Sequence, residues 1–198
     1  MIVGMRIPLN LNVNDSRPTP ALLRSFGVVG WVLLLTCAVG NSVSAQEKNN
    51  RVANFIREAL ASRSKEIVNA AVDMPTDKFP VKVTPEGMTF GEFTLHVSSA
   101  NYLYCSKIGN VADPDLPKLT GNETKDKLVE RLKSSFDFCT GALARLDDSN
   151  KFEMLTLGDA KTPRSMAILT LSSTWSDHAT QQVEYLQAAG AMTASAKK

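Results

Sequence analysis

Four segments of the sequence carry apolar residues every three or four positions, the spacing that places them on one face of an α-helix. They span residues 51–72, 89–109, 123–146 and 162–190. No other run alternates apolar and polar residues for long enough to predict a strand, and residues 152–157 come closest. Because amphipathic helices bury their apolar faces against one another, the sequence predicts an all-α four-helix bundle with long connections.

Local signals mark where these helices begin. Thr89 with Glu92, and Thr120 with Glu123, have the spacing of a capping box, in which two side chains satisfy free backbone N–H groups at a helix start. The fourth helix is predicted to begin at Pro163, after Thr162 as its N-cap.

The first 45 residues have the layout of a secretory signal peptide. An Arg-containing start precedes the uncharged run 26–39, FGVVGWVLLLTCAV, and small residues and then polar residues follow. We expect cleavage after Ala45, so that residues 46–198 form one periplasmic or extracellular domain without a stable membrane span. Two alternatives stay open. In the first, the uncharged run is not removed and remains as a membrane anchor, although its length of about 14 residues is below the ~20 needed to cross a bilayer. In the second, Cys37 is lipidated, although Thr36 before it disfavours this modification.

The charge of the predicted mature domain is balanced. The whole chain has 22 basic and 20 acidic residues, and the first 45 hold three arginines and one aspartate. Subtraction leaves 22 − 3 = 19 basic and 20 − 1 = 19 acidic residues. A nucleic-acid-binding surface needs an excess of basic residues, so we expect no nucleic acid partner. A small molecule or a protein remains as partner, bound by a monomer or a homodimer.

The domain has only two histidines, His96 on the second helix and His178 on the fourth. Each shares a predicted inner face with apolar residues. Two histidines from different helices that point into a bundle can bind a metal ion. A histidine on an apolar stripe is, however, more often a hydrogen-bonded core residue.

Two stretches carry a resemblance to the DinB/YfiT superfamily that extends over essentially all of residues 51–195. The segment MPTDKFPVKVTPEGMTFGEFTLHVSSANYLYC is similar to the first half of a DinB-like domain. The segment HATQQVEYLQAAGAM is similar to its last helix, whose usual form is H-x-x-x-H-Y-G-Q-x-x-x-Y-L-R-x-x-G. The resemblance implies the helix order up-down-down-up, in which the second and third helices are parallel.

The resemblance also implies a metal site made of three histidines. His96 and His178 match two of these positions, and Thr174 stands at the third. A Thr hydroxyl is a poor replacement for imidazole on Zn, Ni or Fe. We therefore expect a divalent metal to be weakly held or absent. The predicted function is that of an exported small-ligand or partner binder in the cell envelope; the alternative is a divalent-metal-dependent hydrolase or thiol-dependent transferase that uses both histidines.

Export makes the two remaining cysteines, Cys105 and Cys139, a possible disulfide. A simple up-down hairpin of the second and third helices would hold them roughly 20 Å apart. The parallel arrangement implied by the resemblance instead places Cys105 beside Cys139. Against the bond, Cys105 stands about 120° from the centre of its helix's predicted apolar stripe. Two unpaired thiols are the alternative.

Overall fold

The computed structural model describes residues 50–192, which are mostly helical. Four α-helices contribute to one apolar core, and a small two-stranded sheet precedes the last helix. The elements are α1 (Arg51–Asp73), α2 (Phe90–Gly109), α3 (Lys125–Leu143), β1 (Met154–Leu157), β2 (Ala160–Pro163) and α4 (Arg164–Ala188), with one 3-10 turn at Thr76–Lys78.

Helices α2 and α3 approach closely along their whole length. Their contact face on α2 includes small and polar residues, among them Asn101 and Cys105, which are fully or almost fully buried. Beside them Tyr102 packs on Phe138 of α3, with ring centroids 5.2 Å apart. Residues near the start of α2 contact residues near the start of α3, and residues near the two ends contact each other. The contacting pairs are Gly91 with Leu128, Asn101 with Ser135, Cys105 with Cys139, and Gly109 with Ala142.

The predicted apolar stripe of α2 is therefore partly wrong. Leu103, which was placed on that stripe, is 41% exposed, whereas Cys105, which was placed off it, is completely buried. Cys105 and Cys139 form a disulfide with their Cα atoms 5.2 Å apart, within the range that the bond requires. Hydropathy misplaced the buried face because α2 packs on α3 through small polar side chains that take little space.

The β1–β2 hairpin corrects the prediction that the chain has no strand. Its strands pair antiparallel, with Leu157 opposite Ala160 and a two-residue connection at Gly158 and Asp159. Gly158 has φ +58°, a conformation that glycine adopts without steric cost. Each strand has four residues and only Leu155 is buried, so the alternation of apolar and polar residues was too short to identify them.

The helix starts were predicted with mixed success. The capping box of α2 is confirmed: the Glu92 N–H donates to Thr89 Oγ1 (3.1 Å) and the Thr89 N–H donates to Glu92 Oε2 (2.7 Å). The second box is not a helix cap. Glu123 accepts hydrogen bonds from backbone N–H groups in the turn before α3, which begins only at Lys125 after Thr124. Helix α3 also ends at Leu143, three residues earlier than expected.

The start of α4 also differs from the prediction. Pro163 is its N-cap rather than its first residue, and Thr162 belongs to β2. The backbone of Thr162 is used by the hairpin, in register with Leu155, and is therefore not available as a cap.

Side chains from neighbouring helices satisfy several free helix ends. Both carboxylate oxygens of Asp148 accept hydrogen bonds from backbone N–H groups at the start of α1 (2.9 and 3.0 Å). Arg57 donates to two carbonyls at and just after the end of α3, those of Leu143 and Leu146 (3.1 and 2.9 Å). Lys125, at the start of α3, donates to carbonyls at the end of α1. The start of each of these helices therefore lies beside the end of the other.

No helix among residues 50–192 is long and apolar enough to cross a membrane. The predicted signal peptide, its cleavage after Ala45 and the alternative lipidation of Cys37 all lie outside the described residues, and they stay predictions.

Candidate functional site

The two histidines of the domain come together between α2 and α4. The ring centroids of His96 and His178 are 5.4 Å apart, and the rings meet edge to face. His178 is buried, with 6% of its surface exposed. His96 is exposed, which corrects the prediction that both histidines point inward. The pair therefore spans the boundary between core and solvent.

Aromatic rings surround the inner histidine. Phe93 packs edge-on against His178 at a centroid distance of 5.3 Å and lies 5.2 Å from the ring of Tyr185. The Tyr185 hydroxyl donates a hydrogen bond to the Met88 carbonyl (2.8 Å), and burial raises the pKa of this phenol. The hydrogen bond of Tyr185 thus links α4 to the segment that precedes α2.

Burial also controls the protonation of His178. The pKa of its imidazole is lowered to about 4, mainly by the loss of solvent and also by the neighbouring His96, while Asp177 acts in the opposite direction. His178 is consequently neutral at neutral pH. Its Nδ1 is buried and has no hydrogen-bond partner among the described residues.

Gln182 lies one helical turn beyond His178 and is completely buried. Neither its amide oxygen nor its amide nitrogen has a hydrogen-bond partner in the described part of the chain. An unpaired buried polar group costs about 1–3 kcal/mol, so such groups are uncommon without a water or a ligand. Sequence reasoning missed Gln182, although its i+4 spacing from His178 places both on one helix face.

A second buried polar group in the same helix interface is fully paired. The Trp175 Nε1–H donates to Asn101 Oδ1 (2.7 Å), and Asn101 Nδ2 donates to Ser135 Oγ (2.9 Å). This network connects α4, α2 and α3 across the core. Unpaired atoms are therefore not a property of every buried polar side chain in the core. Besides those of His178 and Gln182, Arg164 Nε at the start of α4 is the other such atom among residues 50–192.

The residues at this level do not form a complete metal site. Thr174, one turn before His178, is half-buried and offers only a hydroxyl. Within residues 50–192 no group of three His, Cys, Asp or Glu side chains could hold a metal ion. Two imidazoles and a hydroxyl are a poor donor set for Zn, Ni or Fe. We name His96, His178, Gln182, Phe93 and Tyr185 the histidine site.

No protein-family model matches this chain, and no curated protein matches it.

Proposed function

We propose that this chain is an exported DinB-like domain protein that binds a small polar ligand, or a polar group of a partner protein, at the histidine site. The observation that carries the proposal is the set of buried, unpaired polar atoms of His178 and Gln182, together with the contact between His178 and the exposed His96. A ligand with a hydrogen-bond donor and an acceptor would satisfy the Gln182 amide. His96, at the solvent boundary, would be the first side chain that such a ligand meets.

The helix order up-down-down-up is part of this proposal, and residue contacts support it. In the contacts between α2 and α3, the residue numbers of both partners increase together, as in parallel helices. They run oppositely between α1 and α3, where Arg57 reaches Leu143 and Lys125 reaches Val72. They also run oppositely between α2 and α4, as the following pairs indicate: Met88 with Tyr185, Asn101 with Trp175, and Ile108 with Arg164.

The amount of metal that the purified protein retains distinguishes a ligand-binding protein from a metal-dependent enzyme. We expect the protein, purified without chelator, to hold well below one equivalent of Zn, Ni or Fe, because two imidazoles bind such ions weakly. Thr174→His adds an imidazole one turn from His178 and should raise both metal content and affinity. Elemental analysis and competition with a chromogenic chelator measure these quantities.

Thr180→His is the matched control for this experiment. Thr180 is exposed and lies about 200° around α4 from His178, so a histidine there should not increase metal binding. Stoichiometric metal in the unmodified protein would contradict the proposal. It would identify a missed ligand and favour the alternative, a metal-dependent hydrolase or thiol-dependent transferase.

A further inference from the structure

A pocket lies away from the histidine site, beneath the connection between α2 and α3. It has a volume of about 240 Å³. Its lining comes from three parts of the chain: Tyr102 of α2, two leucines of the connection, and one face of α3. The residues are Tyr102, Leu116, Leu119, Lys127, Glu130, Arg131 and Ser134. Tyr102 lies about 120° around α2 from His96, so the two sites use different sides of this helix. We name it the crossover pocket.

The charge of the crossover pocket favours an anion. Lys127 and Arg131 contribute two positive charges and Glu130 one negative charge, which gives 2 − 1 = +1 for the lining. Lys127 and Arg131 are four residues apart on α3 and therefore lie on the same helix face. Arg131 is half-buried and uses one Nη to donate to the Pro117 carbonyl (3.2 Å). This bond holds the connection over the pocket, and the other guanidinium donors have no hydrogen-bond partner among residues 50–192.

Neutral donors and apolar walls complete the pocket. Tyr102 is 8% exposed, its hydroxyl makes no hydrogen bond to another described residue, and burial raises the pKa of the phenol so that it keeps its proton. Ser134 adds a hydroxyl, and the half-buried Leu116 and Leu119 add apolar surface. A phenol, a hydroxyl and a guanidinium suit a carboxylate, whereas the leucines suit a hydrocarbon body.

We propose that the crossover pocket binds a small organic monocarboxylate, with the carboxylate between Lys127, Arg131 and Tyr102 and its apolar body against Leu116 and Leu119. A single negative charge matches the +1 charge of the lining. The pocket is separate from the histidine site, so this inference does not depend on the function proposed there, and either can fail alone.

Calorimetric titration of the purified protein at low salt tests this, with benzoate as the probe and benzyl alcohol as its neutral analogue. We expect benzoate to bind at least about tenfold more tightly, because the neutral analogue lacks the charge-assisted hydrogen bonds. Tyr102→Phe keeps the ring and should weaken benzoate binding by about tenfold, the effect of losing a hydrogen bond to a charged group. Lys127→Gln should weaken it about two- to fivefold, since Lys127 is exposed.

Lys133→Gln is the control, because it removes an exposed positive charge of α3 that does not line the pocket. Benzoate affinity should be unchanged in this variant and in His178→Gln. Equal affinity for benzoate and benzyl alcohol would overturn the proposal. A second result would also overturn it: benzoate affinity that is unchanged in Tyr102→Phe and Lys127→Gln but is abolished in His178→Gln. Circular dichroism of each variant verifies that it is folded.

Discussion

At the scale of single residues, Gln182 has the clearest conflict between stability and function. Its amide is completely buried and unpaired within the described chain, so the folded state carries a desolvation cost for it. We expect Gln182→Met, which keeps the approximate size and removes the polar atoms, to raise the free energy of unfolding by about 1–3 kcal/mol. Urea unfolding measures this change.

Gln181→Met is the matched control for Gln182→Met. Gln181 is exposed, so the same substitution there should change the free energy of unfolding by less than about 0.5 kcal/mol. If Gln182→Met destabilised the protein by more than its control, Gln182 would have to be hydrogen-bonded in the ligand-free fold, and the argument for a binding site would fail. A stabilised variant that has lost ligand binding would show the trade-off expected at a functional site.

His178 gives the protein a specific dependence of stability on pH. Its pKa is about 4 in the fold and 6.5 as the ordinary value for histidine. Between these values the unfolded chain binds more protons, so the free energy of unfolding falls as the pH drops from 6.5 towards 4. The difference between these two pKa values corresponds to roughly 3 kcal/mol. The stability is fully present above pH 6.5.

Urea unfolding at several pH values tests this dependence. His178→Gln should remove most of the slope between pH 6.5 and 4, because glutamine does not titrate. His96→Gln should retain most of it, because burial and not His96 is the main cause of the lowered pKa. A slope that is equal in the wild type and in His178→Gln would show that another group is responsible.

At the scale of secondary-structure elements, the contact between α2 and α3 depends on close backbone approach. A Cβ at Gly109 would contact the Ala142 carbonyl oxygen, and would lie 3.0 Å from Ala142 Cβ. We therefore expect Gly109→Ala to destabilise the protein by about 1–3 kcal/mol through overpacking, although alanine is the better helix former. Thermal and urea unfolding measure the effect.

Gly141 provides the control on the partner helix. A Cβ there meets no atom within 4 Å, so Gly141→Ala should follow helix propensity alone and stabilise the protein by about 0.5–1 kcal/mol. Opposite signs for the two variants are the expected result. If both were stabilising, the two helices would be farther apart in solution than described here.

Elements could be predicted from the sequence where one local signal determined the outcome. The Thr89–Glu92 box placed the start of α2 correctly because its hydrogen bonds are made within four residues. The same pattern at Thr120 failed because the carboxylate of Glu123 served the preceding turn instead. The hairpin was missed because pairing between two four-residue strands, and not their apolar pattern, defines them.

The histidine site could be predicted in part. The sequence placed His96 and His178 on the inner faces of two helices, where a shared metal site would require their rings to lie close together, and the rings do meet. The exposure of His96 could not be predicted, because it depends on the rotation of α2, which the small polar interface with α3 sets. Asn101 and Gln182 were missed because their partners, or lack of them, depend on tertiary packing.

At the scale of the whole molecule, the disulfide should make a large contribution to stability. The cysteines are 34 residues apart in sequence, and closing a loop of this length restricts the unfolded chain by about 3–4 kcal/mol in the entropic account. We expect the double variant Cys105→Ala/Cys139→Ala to lose about 2–4 kcal/mol of unfolding free energy. If dithiothreitol leaves the unfolding midpoint of the wild type unchanged, the bond does not form in the purified protein.

Cysteine chemistry can also test the predicted processing of the leader. The chain has three cysteines, and Cys37 lies in the predicted signal peptide. If the leader is removed after Ala45, the remaining 3 − 1 = 2 cysteines are those of the disulfide. We therefore expect no alkylated thiol when envelope protein is denatured without reductant and treated with iodoacetamide, and two after reduction. Intact mass spectrometry should give a chain that begins at Gln46.

The alternatives for the leader give different results in the same experiment. A retained leader adds Cys37, so one thiol would be alkylated before reduction and three after it. Lipidation would remove residues before Cys37 and add the mass of acyl chains, with no reactive thiol at that position. Two reactive thiols on a chain that begins at Gln46 would rule out the disulfide while supporting export. The thiol counts distinguish a retained leader from the other two cases, and the intact mass distinguishes cleavage from lipidation. Labelling and intact mass together therefore separate the three cases, and they test the Cys105–Cys139 bond independently of them.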